Sequence, residues 1–162
     1  MLAMSTAAVH PSVEKINAIL AENGLPGRVW ILEDAAPTAQ AAADQIGCEV
    51  GAIANSLVFT TGDGEPLMVM TSGAHRVNIR DLGSRIGVTI KRASAEFVRE
   101  HTSQPIGGVA PFGHPRPIRT IIDVDLAAYD QLWVGGGIPH AVFPLTYADL
   151  VAMTDGEELP VA

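Results

Sequence analysis

Ile53-Ala54-Asn55-Ser56-Leu57-Val58-Phe59-Thr60, followed by Gly62-Asp63-Gly64 and then Pro66-Leu67-Met68-Val69-Met70-Thr71, is the stretch whose reading decides the fold class. Two apolar runs joined by a Gly-Asp-Gly turn read as a β-hairpin, with Asn55 and Ser56 as polar interruptions of the first strand. Upstream, Val13, Ile16, Ile19 and Leu20 repeat at helical spacing after His10-Pro11-Ser12, and Gly24 with Pro26-Gly27 ends that helix. Val29 to Leu32 reads as a short strand, and Thr38 as the cap of an alanine-rich helix from Ala39 to Ile46, stopped by Gly47. Downstream, Asn78 or Asp81 caps a helix toward Ile86, and Val88 to Arg92 is a strand. Ser94 caps a helix from Ala95 to His101 with Ala95, Val98 and Thr102 turned inward. Arg119–Val124, Gln131–Gly135 and Ala141–Leu145 are strands, Asp125–Tyr129 is a turn of helix, and Thr146 caps a last helix through Met153. Strands outnumber regular βα units and at least one pair is antiparallel, so an α+β domain with a mixed sheet is expected rather than a doubly wound one.

The bulk numbers bound the function. A chain of 162 residues with 48% hydrophobic and 17% charged residues suits a single globular domain. Its core is expected over about 13–153, with 1–9 and 155–162 frayed. One cysteine, Cys48, excludes an internal disulfide framework and is read as a small packed residue. No signal peptide and no membrane span is expected, which places the protein in the cytoplasm. The net charge of −8 opposes autonomous binding of a large nucleic acid. The few basic residues nevertheless gather between Arg76 and Arg119, enough for a local positive face.

Phosphate-loop, zinc-helix, nucleophile-elbow and dinucleotide patterns are absent. His75, His101, His114 and His140 are too widely spaced to support a metal site, so none is expected, and no cofactor. What stands out is Ile106-Gly107-Gly108-Val109-Ala110-Pro111-Phe112-Gly113-His114-Pro115. Glycines open the main chain to close approach and prolines stiffen it, a combination that suits either a tight turn or a rigid loop that holds a small polar group.

Taken together and in order, the segments Ile53–Phe59, Met70–Val77 and Gly107–Pro115, the last preceded by Phe97-Val98-Arg99, resemble the YbaK/EbsC family. These are aminoacyl-tRNA deacylase domains, free-standing or inserted in prolyl-tRNA synthetases. The resemblance runs from about Val13 to Met153. It implies a large mixed, partly closed sheet flanked by helices, with the site in a groove. It also implies hydrolysis of the ester that joins a wrong amino acid to the tRNA 3′-terminal adenosine.

Carried over to this chain, the family's G-x-x-x-P loop is Gly107-Gly108-Val109-Ala110-Pro111, whose main chain holds the amino-acid end; Gly108 is expected at the closest approach to the ligand. The family's lysine position is Asn55, which hydrogen-bonds but carries no charge; His75 or Arg76 is the candidate replacement cation. Ser56 follows the family pattern. Thr38 is a pocket contact or only a helix cap, Ser72 a pocket hydroxyl or a turn, and His114 a ligand contact or a plain loop residue. The resulting expectation is a metal-independent editing hydrolase for tRNA mischarged with a small amino acid. It holds the acceptor end, and a synthetase or elongation factor supplies the rest of the grip. The alternative is an altered member that binds a nucleotide, an aminoacyl-adenosine or a protein partner without turnover.

Overall fold

The computed structural model describes residues 10–34 and 36–162. In chain order the elements are α1 (Pro11–Glu22), β1 (Trp30–Ile31), α2 (Ala39–Ile46), β2 (Ile53–Thr61), β3 (Pro66–Ser72), α3 (Ile79–Ile86), β4 (Ile90–Arg92), α4 (Ala95–Thr102), β5 (Arg119–Asp123), β6 (Leu132–Gly135), β7 (Ala141–Leu145), α5 (Tyr147–Thr154) and β8 (Glu157–Leu159). Short 3-10 turns at Val50–Ala52 and Val124–Ala128 precede β2 and follow β5.

Local chemistry fixes the helix boundaries. Thr38, Asn78, Ser94 and Thr146 each accept a backbone N–H three residues on, supplying a partner to a first-turn amide that has none within the helix. Gly47 and Gly87 end α2 and α3 at φ values of 84° and 76°, where a side chain would be strained. On α4, Val98 and Thr102 are buried as expected, but Ala95 is exposed. The strand expected over 29–32 shrinks to Trp30–Ile31, because the Val29 N–H turns to the Asn17 carboxamide.

The eight strands form one mixed sheet in the order β1-β7-β6-β2-β3-β5-β8, with β4 added to β2. The pairs β2–β6, β3–β5 and β5–β8 are parallel and the others antiparallel. The sheet is not closed: among the described residues β1 and β8 lie at opposite ends and do not pair. β3 is buried on both faces, and its side chains alternate between two cores as strand geometry requires. Met68 and Met70 join a large cluster with Ile16, Leu20, Phe143 and Leu150. Leu67 and Val69 join a second cluster with Leu82, Ile121 and Val161. A third cluster sets Ala42 and Ala43 of α2 against Ile53 and Trp133.

Ile53 and Phe59 lie on one face of β2, the first in the α2 cluster and the second against the α3 cluster. Asn55 and Leu57 share that face between them, as does Thr71, which is directly opposite Asn55. The two clusters do not merge there, and the space between them opens into a cavity.

The tail corrects the expectation of fraying from Asp155. Glu157–Leu159 pairs with β5, Val161 is 3% exposed, and its carbonyl accepts the Asn78 N–H at 2.8 Å. The expectation for residues 1–9 lies outside the described residues. Val161→Ala is expected to lower the free energy of unfolding by about 2 kcal/mol, measured by denaturant titration. A frayed tail would leave it unchanged.

Candidate active site

β2 carries two different strands on the edge opposite β3. β6 pairs with Ile53 and Ala54 at one end, and β4 pairs with Phe59, Thr60 and Thr61 at the other. Neither pairs with Asn55 through Val58, so the sheet has a gap there. A cavity of about 760 Å³ occupies this region. Its wall includes Thr38, Ala39 and Ala42 of α2, Asn55 through Phe59 of β2, Thr71, Trp133, and the loop residues Ile106, Gly107 and Val109.

The gap exists because β6 parts from β2 at the glycine triplet, where Gly135 still pairs with Val142 of β7. Gly135 lies so near the glycine loop that a Cβ on it would stand 2.6 Å from the Val109 carbonyl oxygen. Gly136 turns back, its N–H donating to Ala141, and Gly137 donates to the Gly108 carbonyl at 2.8 Å. A Cβ on Gly108 would in turn collide with the Ile138 backbone and stand 2.5 Å from the Pro139 nitrogen. Two glycine segments therefore meet backbone to backbone. This corrects the reason expected for Gly108: it is buried and does not line the cavity, and a Cβ on it would meet Ile138–Pro139 rather than narrow the cavity.

The loop is also held from behind. The buried Gln104 side-chain oxygen accepts the Ala110 N–H at 2.6 Å, and the Ala110 carbonyl accepts from His114 Nε2 at 2.8 Å. Thr102 Oγ1 accepts the Gln104 N–H and donates to the Val98 carbonyl at 2.7 Å, anchoring this network to α4. Ala110, Pro111 and His114 thus lie behind the cavity wall, while Gly107, at φ 91°, and Val109 form its surface.

The other expected residues divide similarly. Thr38 both caps α2 and lines the cavity. Ser56 lines it, but its hydroxyl donates to the Met70 sulfur at 3.2 Å, so its main chain faces the gap. Ser72 is buried away from the cavity wall, with its hydroxyl donating to the Gly51 carbonyl at 2.8 Å. Asn55, half-buried, lines the cavity and makes no side-chain hydrogen bond among the described residues.

His75 and Arg76 line the cavity too. Asp123, 1% exposed, accepts the backbone N–H groups of Ser72 and Asp125 and pairs with His75 Nδ1 at 2.8 Å. His75 Nε2 lies 3.3 Å from Asp125. These three side chains are the group among the described residues close enough to share a cation; here each imidazole nitrogen faces a carboxylate.

Arg92 is a wall residue that the sequence did not single out. It is directly opposite Phe59, which puts it on the same face of the sheet as Asn55 and Leu57. Thr71 and Trp133 were likewise missed; the pairing register that brings them to Asn55 and Ile53 is a long-range property. Among the described residues, the charged or ionisable side chains on the wall are His75, Arg76 and Arg92, with no Asp or Glu. Among the described residues neither arginine is in an ion pair.

Residues 33–153 match the family model of the aminoacyl-tRNA editing domain. The chain belongs to this family. The editing domain is similar, at 34% identity and a TM-score of 0.88, to a crystal structure described as a proposed trans-editing enzyme for prolyl tRNA synthetase, with 95% of this chain and 98% of that one covered. It is also similar to the hypothetical protein APE2540, at 27% identity and a TM-score of 0.83 over 91% and 98% of the two chains. Among curated proteins it is 26% identical, over 118 residues, to the uncharacterized protein YwhH of Bacillus subtilis (strain 168), which spans 73% of this chain and 75% of that one. Family and fold are thus YbaK-like, and they support a deacylase role and an interaction with tRNA or a synthetase. No helix among the described residues is long and apolar enough to cross a membrane.

Burial pushes the His114 imidazole below its ordinary value; the hydrogen bond to Ala110 opposes this and Lys15 adds to it. The folded protein therefore refuses a proton that the unfolded chain accepts. This contribution to stability is complete above about pH 6.5 and is lost as the pH falls toward the lower folded value. Denaturant titrations are expected to show wild type losing more stability than His114→Gln between about pH 7.5 and pH 5.5. Equal losses would show that His114 is not held neutral behind the loop.

Proposed function

We propose that this protein is a free-standing editing hydrolase that removes a small, wrongly attached amino acid from tRNA without a metal ion. The observation that carries the reading is the charge of the cavity wall. The protein as a whole is at −8, yet among the described residues the wall holds Arg76 and Arg92 and no carboxylate. Such a site attracts an anion, and the terminal nucleotide of tRNA is a phosphodiester attached to the ester that must be cut. The volume is in the usual range for sites that enclose a small ligand, about 300–1,000 Å³.

The reaction needs little from side chains. Water adds to the ester carbonyl carbon, the bond to the ribose oxygen breaks, and that oxygen takes the proton, leaving free amino acid and uncharged tRNA. The neighbouring ribose hydroxyl can relay the proton. The rigid main chain at Gly107 and Val109 orients the amino-acid end and the water, which is a contribution of position rather than of acid–base strength. Asn55 supplies hydrogen bonds, and Arg76 and Arg92 supply the charge that the family's lysine would carry. Ala39, Ala42, Ile53 and Trp133 give the wall an apolar part suited to a small side chain. Pocket size separates near-isosteres only weakly, so the preferred amino acid is a matter for assay.

Deacylation of alanyl-, seryl-, threonyl-, cysteinyl- and 2-aminobutyryl-tRNA, on proline and other acceptors, tests the proposal. Wild type is expected to turn over at least one substrate and to keep its rate in excess EDTA. Arg76→Ala and Arg92→Ala are each expected to raise KM about 10- to 100-fold, the worth of one charge-assisted contact. No turnover by wild type, with activity gained in Asn55→Lys, would replace the enzyme with a binding protein on the same scaffold.

A further inference from the structure

The gap in the sheet presents unused main-chain groups to the cavity. The Ile53 carbonyl accepts from Gly73 at 2.7 Å, and the Thr61 N–H donates to Glu65 at 2.9 Å, so odd-numbered residues of β2 face β3. Even-numbered residues therefore face the other edge. There the β6 register stops at Ala54↔Val134 and the β4 register begins at Phe59↔Arg92. Between them, the N–H and C=O of Ser56 and the N–H of Val58 lie outside both ladders. Had β6 continued in register, Gly137 would sit opposite Leu57 and take the last two of these groups, but its N–H is committed to Gly108.

Along the edge these groups run donor, acceptor, donor. The acceptor at Ser56 and the donor at Val58 are spaced to take one residue of a parallel strand, an adjacent N–H and C=O. A purine amine beside a ring nitrogen has the same order. Around them the wall is apolar. The two large hydrophobic side chains exposed among the described residues, Leu57 at 37% and Ile106 at 58%, both stand on it, and a flat ring would cover them.

We infer that the free edge of β2 at Ser56–Val58 is the subsite for an adenine ring, with the Ser56 carbonyl accepting from the exocyclic amine and the Val58 N–H donating to N1. This rests on the editing reading and assigns the base of the terminal nucleotide to a main-chain contact. A 6-oxo purine reverses both groups: its oxygen faces the Ser56 carbonyl and its N1–H faces the Val58 N–H. Binding of the base is shared by ground state and transition state, so the discrimination falls on KM.

The experiment uses the aminoacyl-tRNA hydrolysed fastest by the full-length protein, prepared with a 3′-terminal adenosine, inosine or 7-deazaadenosine. The expected result is equal rates for adenosine and 7-deazaadenosine, and a drop in kcat/KM of at least about tenfold for inosine, carried by KM. Equal hydrolysis of the inosine-ended and adenosine-ended substrates would overturn the adenine subsite while leaving the editing reading intact. So would loss of activity with 7-deazaadenosine, which would move the contact to the other edge of the base. If no adenosine-ended substrate in the panel is hydrolysed, the editing reading fails and the subsite fails with it.

Discussion

Two stretches of main chain touching without side chains between them hold this site together. Gly108 abuts Ile138–Pro139, Gly135 abuts Val109, and the Gly137 N–H reaches the Gly108 carbonyl. An ordinary side chain at Gly108 or Gly135 would push the segments apart, because the atoms it meets are backbone and cannot rotate away. The contact has two consequences. It draws β6 away from β2 after Val134, which opens the edge of β2, and it fixes Gly107 and Val109 as the wall across that opening. Gln104 and His114 then hold the next residue, Ala110, by its N–H and its carbonyl, so the loop is braced before any ligand arrives. That rigidity is what a reaction driven by positioning requires.

The electrostatics follow a similar division between global and local. A surplus of carboxylates keeps the protein from gripping long stretches of nucleic acid, whose affinity comes mainly from phosphate contacts. Within the cavity the balance is reversed, with Arg76 on the β3–α3 loop and Arg92 on β4 both free of ion pairs among the described residues. His75 is tethered differently. The buried Asp123 carboxylate fixes its ring and at the same time ties Ser72 to the start of the turn after β5. This arrangement suits a single anionic end better than a long backbone, as the proposed function requires.

Much of the fold was legible in the sequence because it is written in short-range chemistry. Thr38, Asn78, Ser94 and Thr146 cap the helices they precede, and the β2–β3 hairpin follows from its glycine turn. The tail was misread because Glu157–Leu159 is polar and becomes a strand only by pairing with β5. The site was legible in part. The glycine loop and Asn55 stand out as residues, and they do meet at one cavity. Arg92, Thr71 and Gln104 carry no local signal; register brings the first two to β2, and burial makes the third a clamp. The role of Gly108 was misplaced for a related reason. A glycine announces close approach but not what approaches, and here the partner lies about thirty residues away in the chain.

The contact between the two glycine segments is tested most directly by amide hydrogen exchange at Gly137 in wild type and in Gly108→Ala. If the segments meet as described, the Gly137 amide is slow to exchange in wild type, and in Gly108→Ala it exchanges at least about tenfold faster, while the β2–β3 amides keep their protection. Unchanged protection at Gly137 in Gly108→Ala would show that the segments tolerate a Cβ between them, and that neither the loop nor the gap in the sheet depends on their contact.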